Sequence, residues 1–233
     1  MKILTLHFSD RLDDYTCKSL LSRVDEAKRE KLLKFVFWED LQRGLLADLL
    51  VRKVLIDELN LSNEEINFAV SEYGKPYCDF PDDFHFNVSH SGNWVVCVVD
   101  KNPVGIDIEK ISTIDLDISK NFFSDKEHDD LMRSSNPFEH FFTLWSLKES
   151  YIKFIGKGLS YHLNCFSMSL ASHSRISIEV NNTMLENIYF KLYSIDDGYK
   201  MAVCASNQDM PEQLEIYSVN DLVDCFILNR IKH

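Results

Sequence analysis

Val104-Gly105-Ile106-Asp107-Ile108-Glu109-Lys110 is the stretch on which the reading of this chain turns. Apolar and acidic residues alternate in it with period two, which makes it a strand carrying Ile106 and Ile108 on one face and Asp107 and Glu109 on the other. The isoleucine face belongs to a core. The acidic face is a pair of hard oxygen ligands suited to a hard cation. A third acid lies further on, in Trp145-Ser146-Leu147-Lys148-Glu149-Ser150-Tyr151-Ile152-Lys153. There the spacing is helical: Glu149 and Lys153 are four apart and share a face, the acid able to turn toward a metal and the ammonium toward a phosphate. Each block also has a plainer reading, a half-wet strand and an exposed helix pair worth about 0.3 to 0.5 kcal/mol.

Working outward, Phe86-Asn87-Val88-Ser89-His90-Ser91-Gly92-Asn93-Trp94 precedes the acids, and Tyr73-Gly74-Lys75-Pro76 precedes that block. Together with Lys28-Arg29-Glu30-Lys31, Glu39-Asp40 through Arg43, Leu50-Val51-Arg52, Phe122-Phe123-Ser124, Gly156-Lys157-Gly158-Leu159-Ser160 and Gly198-Tyr199-Lys200-Met201-Ala202-Val203-Cys204, these blocks run nearly end to end. In order and spelling the chain resembles the Sfp-type 4'-phosphopantetheinyl transferases. The resemblance implies an α+β fold of two similar halves related by a pseudo-twofold, with the active site in the cleft between them. It further implies that coenzyme A is the substrate and Mg²⁺ the cofactor, with the metal held by Asp107, Glu109 and Glu149. By the same carry-over Lys28, Lys31 and Arg43 contact the 3'-phosphate, Lys75 and Pro76 the adenine side, and Ser89 and His90 the phosphates. Glu149 is the expected general base, directly or through a metal-bound water, and Lys153 steadies the phosphate under attack. The implied acceptor is a serine of an apo peptidyl or acyl carrier protein, and the implied by-product adenosine 3',5'-bisphosphate. The likeness favours peptide-synthetase carriers, hence antibiotic biosynthesis, and a monomer, because one chain holds both halves. Residues 111 to 123 are the expected carrier-docking segment.

Composition bounds these readings. With 233 residues, 45% of them hydrophobic and 12% aromatic, the chain has ample material for a packed core. Its 37 acids against 25 bases, a net charge of -12, argue against a nucleic-acid partner. A chain this acidic must gather its bases locally to hold an anion, and Lys28, Arg29, Lys31 and Lys34 form such a cluster. Six cysteines without a Cys-x-x-Cys pair suggest neither a zinc site nor a disulfide frame, and a reducing cytoplasm as the location. No apolar run approaches the ~18 residues of a membrane span, and the one after Met1 is too short for a signal peptide.

Periodicity predicts a strand over 3–8, amphipathic helices over 16–35 and 38–59, and a buried hairpin over 84–100 turning at Ser91-Gly92-Asn93. Ser124 and Glu127 have capping-box form, and Asn136-Pro137 with Glu139 starts a helix that Gly156 ends. Alternating segments at 163–170, 174–180, 187–194 and 199–205 predict an antiparallel sheet, and 218–229 a closing helix. The hairpin at Gly92 is echoed at Phe190–Cys204. The expected halves are therefore 1–102 and 103–233, joined at Asn102-Pro103. Two other activities use parts of the same residue set: a Mg²⁺-dependent phosphohydrolase, with water as nucleophile, and a non-catalytic module binding coenzyme A or a carrier.

Overall fold

The computed structural model describes residues 1–79, 81, 83–170 and 176–228. Strand β1 (Lys2–His7) is followed by helices α1 (Asp14–Leu21), α2 (Glu26–Leu32) and α3 (Trp38–Leu59), then the short strands β2 (Phe68–Val70) and β3 (Pro76–Cys78), then β4 (His85–Ser91) and β5 (Trp94–Asp100). With β6 (Val104–Lys110) the pattern restarts: α4 (Ser119–Phe122), α5 (Asp125–Met132), α6 (Pro137–Ile155), β7 (Phe166–Leu170), β8 (Ile176–Val180), β9 (Thr183–Met184), β10 (Tyr189–Tyr193) and β11 (Tyr199–Ala205). Strand β12 (Glu215–Tyr217) and helix α7 (Val219–Phe226) return to the first half, where β12 lies parallel to β1.

Each run is a strand, a long helix, a small ancillary sheet and a hairpin. In the first, β5 lies antiparallel between β1 and β4; in the second, β11 lies antiparallel between β6 and β10. The fold is thus α+β, built of two like halves related by a pseudo-twofold. Three apolar clusters hold it together. One packs α3 on β1 and β5, with α7 closing it through Leu222 and Phe226. A second surrounds α6. The third lies between the two sheets, where Ile106 and Ile108, both without exposure, meet Ile3, Val96, Val98, Met201 and Val203. The alternation in β6 thus finds its apolar face a core between the halves.

The long helices begin and end where local chemistry directs. Pro137 opens α6 and Gly156 stops it at φ +71°, a conformation glycine adopts without a Cβ penalty. Asn136, expected to cap this helix, makes no capping bond; its amide nitrogen donates to Glu139 Oε2 at 2.6 Å instead. The capping box of Ser124 and Glu127 forms as expected. The helix expected over 16–35 is broken into α1 and α2, because Asp25 takes an extended backbone (ψ 150°) and its carboxylate is held by Arg52 at 2.8 Å. The single sheet expected over 163–205 is also corrected. Residues 163–165 form a 3₁₀ turn, β7 to β9 make a sheet of their own, and β10 and β11 join β6, whose isoleucines need the apolar faces of Met201 and Val203. Residues 174, 175 and 229 of the expected elements lie outside the described residues. Among the described residues no helix is long and apolar enough to cross a membrane.

Candidate active site

The site forms where β4, β6 and α6 converge. Gly105, Asp107 and Glu109 occupy the face of β6 opposite the isoleucines, and Gly105 lets α6 come close: a Cβ there would stand 2.1 Å from the Ser150 carbonyl oxygen and 2.4 Å from the Phe154 nitrogen. On the other side β4 meets β6 through side chains in place of a backbone ladder. Asn87 Oδ1 accepts from Ile106 N at 2.9 Å, Ser89 Oγ from Ile108 N at 3.4 Å, and Ser91 Oγ from Lys110 N at 3.0 Å. The same hydroxyls then turn to the acids, Ser89 donating to Asp107 Oδ1 at 2.9 Å and Ser91 to Glu109 Oε2 at 3.0 Å.

From α6, Lys153 Nζ donates to Asp107 Oδ1 at 2.6 Å and to Ser89 Oγ at 2.9 Å. Burial pushes the Asp107 carboxyl up in spite of that ammonium. Glu109 is pushed up to about 7, first by burial and then by the charge of Asp107. Glu149 is raised by the same two causes in the same order. Three carboxylates that discourage one another's ionisation are a donor set that a hard cation suits, and Asp107 Oδ2, buried without a hydrogen-bond partner, offers it an oxygen. Among the described residues no group of three acidic, histidine or cysteine side chains is already gathered around one point, and the Lys153 ammonium is the local counter-charge of the acids.

His90 is exposed, yet the protein around it pushes its pKa down to about 4, first by desolvation and then through the charges of Lys153, Arg43 and Lys28. His90 thus lies in the field of cations from both halves, a surrounding that suits a phosphate. Lys28, Lys31 and Pro76 line a cavity of about 370 Å³ with apolar walls from Val51, Phe86 and Val88. Arg43 Nη1 donates to the Gly92 carbonyl at 2.8 Å while its other nitrogen pairs with Asp40. Lys75, expected on the adenine side, sends its ammonium to the carbonyls of Val104 (3.2 Å) and Lys153, pinning its loop to both β6 and α6. Burial there lowers it to about 8. Ser89, expected on phosphate, is 7% exposed and fully engaged by β6 and Lys153.

A second cavity, of about 830 Å³, opens beside Glu109 and runs along Ile114, Ile118, Phe142 and Trp145. Phe141 and Phe142 are core residues, with Trp145 stacked on Phe141 at 5.6 Å. Sequence reasoning missed the pair that fixes α6. Lys148, fully buried, bonds to the carbonyls of Leu163 (3.0 Å) and Phe166 (2.6 Å) and to Glu127 at 2.8 Å. Glu127 in turn accepts from Met168 N at 2.7 Å. The capping-box pattern located Glu127 but carried no sign of a partner 21 residues away.

Comparison with known proteins gives a consistent result. The model of the 4'-phosphopantetheinyl transferase superfamily matches residues 103–204, and that of the N-terminal part of a 4'-phosphopantetheinyl transferase matches residues 13–102. The chain is 42% identical over 225 residues to 4'-phosphopantetheinyl transferase Sfp of Bacillus subtilis (strain 168), covering 96% of this chain and 100% of that protein. It is 39% identical to 4'-phosphopantetheinyl transferase gsp of Aneurinibacillus migulanus, covering 88% of this chain and 86% of that one. Among solved structures, Helicobacter pylori holo-[acyl-carrier-protein] synthase in complex with coenzyme A aligns with 44% of this chain and 97% of its own, at 18% identity and a TM-score of 0.35.

Proposed function

This chain belongs to the 4'-phosphopantetheinyl transferase superfamily, and from that premise we propose that it moves the phosphopantetheine arm of coenzyme A onto a serine hydroxyl of an apo carrier protein. The serine oxygen bonds to the phosphorus that carries the arm, the bond from that phosphorus to the bridging oxygen breaks, and adenosine 3',5'-bisphosphate leaves. The observation that carries the reading is that His90 lies in the field of cations from both halves, Lys28 and Arg43 of the first and Lys153 of the second, while Lys153 is bonded to Asp107 on the acidic face of β6.

Lys28 and Lys31 hold the 3'-phosphate, with Pro76 against the base, in the smaller cavity. His90 and Lys153 hold the diphosphate. Glu149, whose pKa burial raises, takes the serine proton, a stronger base than an exposed carboxylate. Asp107 and Glu109 would hold Mg²⁺, with Glu149 beside them; when bound, the metal draws charge from the diphosphate as a Lewis acid. Arg43 and Ser89 support the site indirectly, through Gly92 and Asp107. The carrier docks along the larger cavity, on Ile114 and Ile118, and the arm lies beside Glu109. All these residues come from one chain, so a monomer suffices, and the free cysteines fit a reducing cytoplasm.

Incubation with coenzyme A, Mg²⁺ and a panel of apo carriers, read by intact mass, tests the reading. The expected result is a phosphopantetheinylated serine and free adenosine 3',5'-bisphosphate. Release of phosphopantetheine to water would make it a phosphohydrolase, and tight coenzyme A binding without turnover a binding module. Peptide-synthetase carriers are expected to load best.

A further inference from the structure

The turn Ser91-Gly92-Asn93 leads directly out of β4 and is held by three hydrogen bonds to its backbone. Arg43 donates to the Gly92 carbonyl at 2.8 Å, Phe8 N to the Asn93 carbonyl at 3.0 Å, and Asn93 N to the hydroxyl of Tyr199 at 3.2 Å. Gly92 has φ +54°, and a Cβ on it would stand 2.2 Å from the Tyr199 hydroxyl, so that oxygen rests on the bare Cα of the turn. Tyr199 belongs to the other half. It opens β11, is 8% exposed, and is the cross-strand partner of Lys110, the residue after Glu109. Ser91, at the start of the turn, both accepts from Lys110 N and donates to Glu109 Oε2, each at 3.0 Å. One hydroxyl therefore spans the seam at the residue pair that borders Glu109.

We propose that Tyr199 is a positioning residue: its hydroxyl fixes the turn, and the turn, through Ser91, fixes the carboxylate of Glu109 in the orientation the transfer uses. The proposal rests on the role given to Glu109 above. A tyrosine that merely fills the core would need only its ring, which Tyr199→Phe keeps. Loss of the hydroxyl strands Asn93 N–H and frees Gly92 to shift, and Ser91 would carry the shift to Glu109.

The test compares Tyr199→Phe, Ser91→Ala and the double variant. Free Mn²⁺, followed by electron paramagnetic resonance in the presence of coenzyme A, reads the acids without turnover; kcat and KM for coenzyme A are measured beside it. Melting temperature and metal-free binding of adenosine 3',5'-bisphosphate, which contacts Lys28 and Lys31, check the fold. Tyr199→Phe is expected to weaken Mn²⁺ and lower kcat about fivefold, the loss of one hydrogen bond of ~1 kcal/mol, with KM for coenzyme A nearly unchanged. The double variant should be no worse than Ser91→Ala, because both act on one link. Unchanged Mn²⁺ affinity in Tyr199→Phe, or losses that multiply in the double variant, would overturn the proposal. If Tyr199→Phe does not fold, Ser91→Ala decides alone: unchanged Mn²⁺ affinity there removes the link. The Mn²⁺ arm reads Tyr199 even where no carrier is loaded, so failure of the transferase reading and failure of this inference are distinguishable.

Discussion

The two halves use the same frame and put opposite chemistry on it. Counted from the residue that opens the returning strand, Trp94 in one half and Tyr199 in the other, Leu4 and Leu6 of β1 occupy the places of Asp107 and Glu109 in β6. Ile3 corresponds to Ile106, and both lie in the core between the sheets. The inter-sheet face is thus mainly apolar in both halves, with Thr5 in the place of Ile108, while the helix-facing side is leucine in one and carboxylate in the other. The leucines have no exposure and join α3 through Leu45, Leu46 and Leu49 into a closed core. A carboxylate in such a place costs several kcal/mol unless paired and hydrogen-bonded. In the second half Lys153, Ser89 and Ser91 supply the pairing, and the helix–sheet junction opens into a cleft. Duplicating a fold therefore does not duplicate a site; the polar partners on the neighbouring strand and helix decide which half can carry acids.

The sharpest way to break the comparison is to exchange the two faces. Leu4→Asp places an unpartnered carboxylate in the α3 core and should cost about 4 kcal/mol or more, enough to unfold a marginal domain. Urea denaturation showing a loss under ~1 kcal/mol would mean the first half tolerates acids as the second does. The reverse exchange, Asp107→Leu, should leave stability unchanged or raised, since an apolar side chain replaces a buried charge and Lys153, about a quarter exposed, can turn to solvent. Carrier loading should fall by something like 10³, equivalent to about 4 kcal/mol of lost charge stabilisation. Retained turnover in Asp107→Leu would remove β6 from the chemistry.

A finer division concerns binding against turnover. Alanine at Lys28 and Lys31 in the first half should raise KM for coenzyme A roughly 10- to 100-fold, the worth of a charge-assisted bond of about 1.5 to 3 kcal/mol, with kcat kept. Dephospho-coenzyme A, lacking the 3'-phosphate, should be much less affected. Equal losses with both substrates would assign these bases to the carrier or the fold. The smallest effect is a pH slope. Glu109 has its pKa raised to about 7 from an unfolded value near 4.5, so between those values the folded state binds more protons than the unfolded one. Stability of the metal-free protein should therefore fall as pH rises from 5 to 7, by roughly 1 to 3 kcal/mol, and Glu109→Gln should flatten that slope. A slope unchanged in Glu109→Gln would place the titrating group elsewhere.

Elements whose signals are local could be read directly from the order of residues. A 22-residue amphipathic run gave α3 its limits, Pro137 and Gly156 gave α6 its own, and period-two alternation showed which face of β6 is core and which is acid. The gathering of Ser89, His90, Asp107, Glu109, Glu149 and Lys153 was also legible, through likeness of their blocks to a family. Tertiary structure alone decided what those residues touch. Ser89 serves Asp107, and Lys75 clamps two backbone carbonyls. Lys148 and Glu127 are buried against each other, and β11 left the expected four-stranded sheet to pair with β6. The reason is physical: propensity, capping and periodicity act over a few residues along the chain. A hydrogen bond between residues 18, 21 or 106 positions apart exists only because packing the three apolar clusters brings its partners within 3 Å or so, and a buried donor must then take the acceptor it finds there.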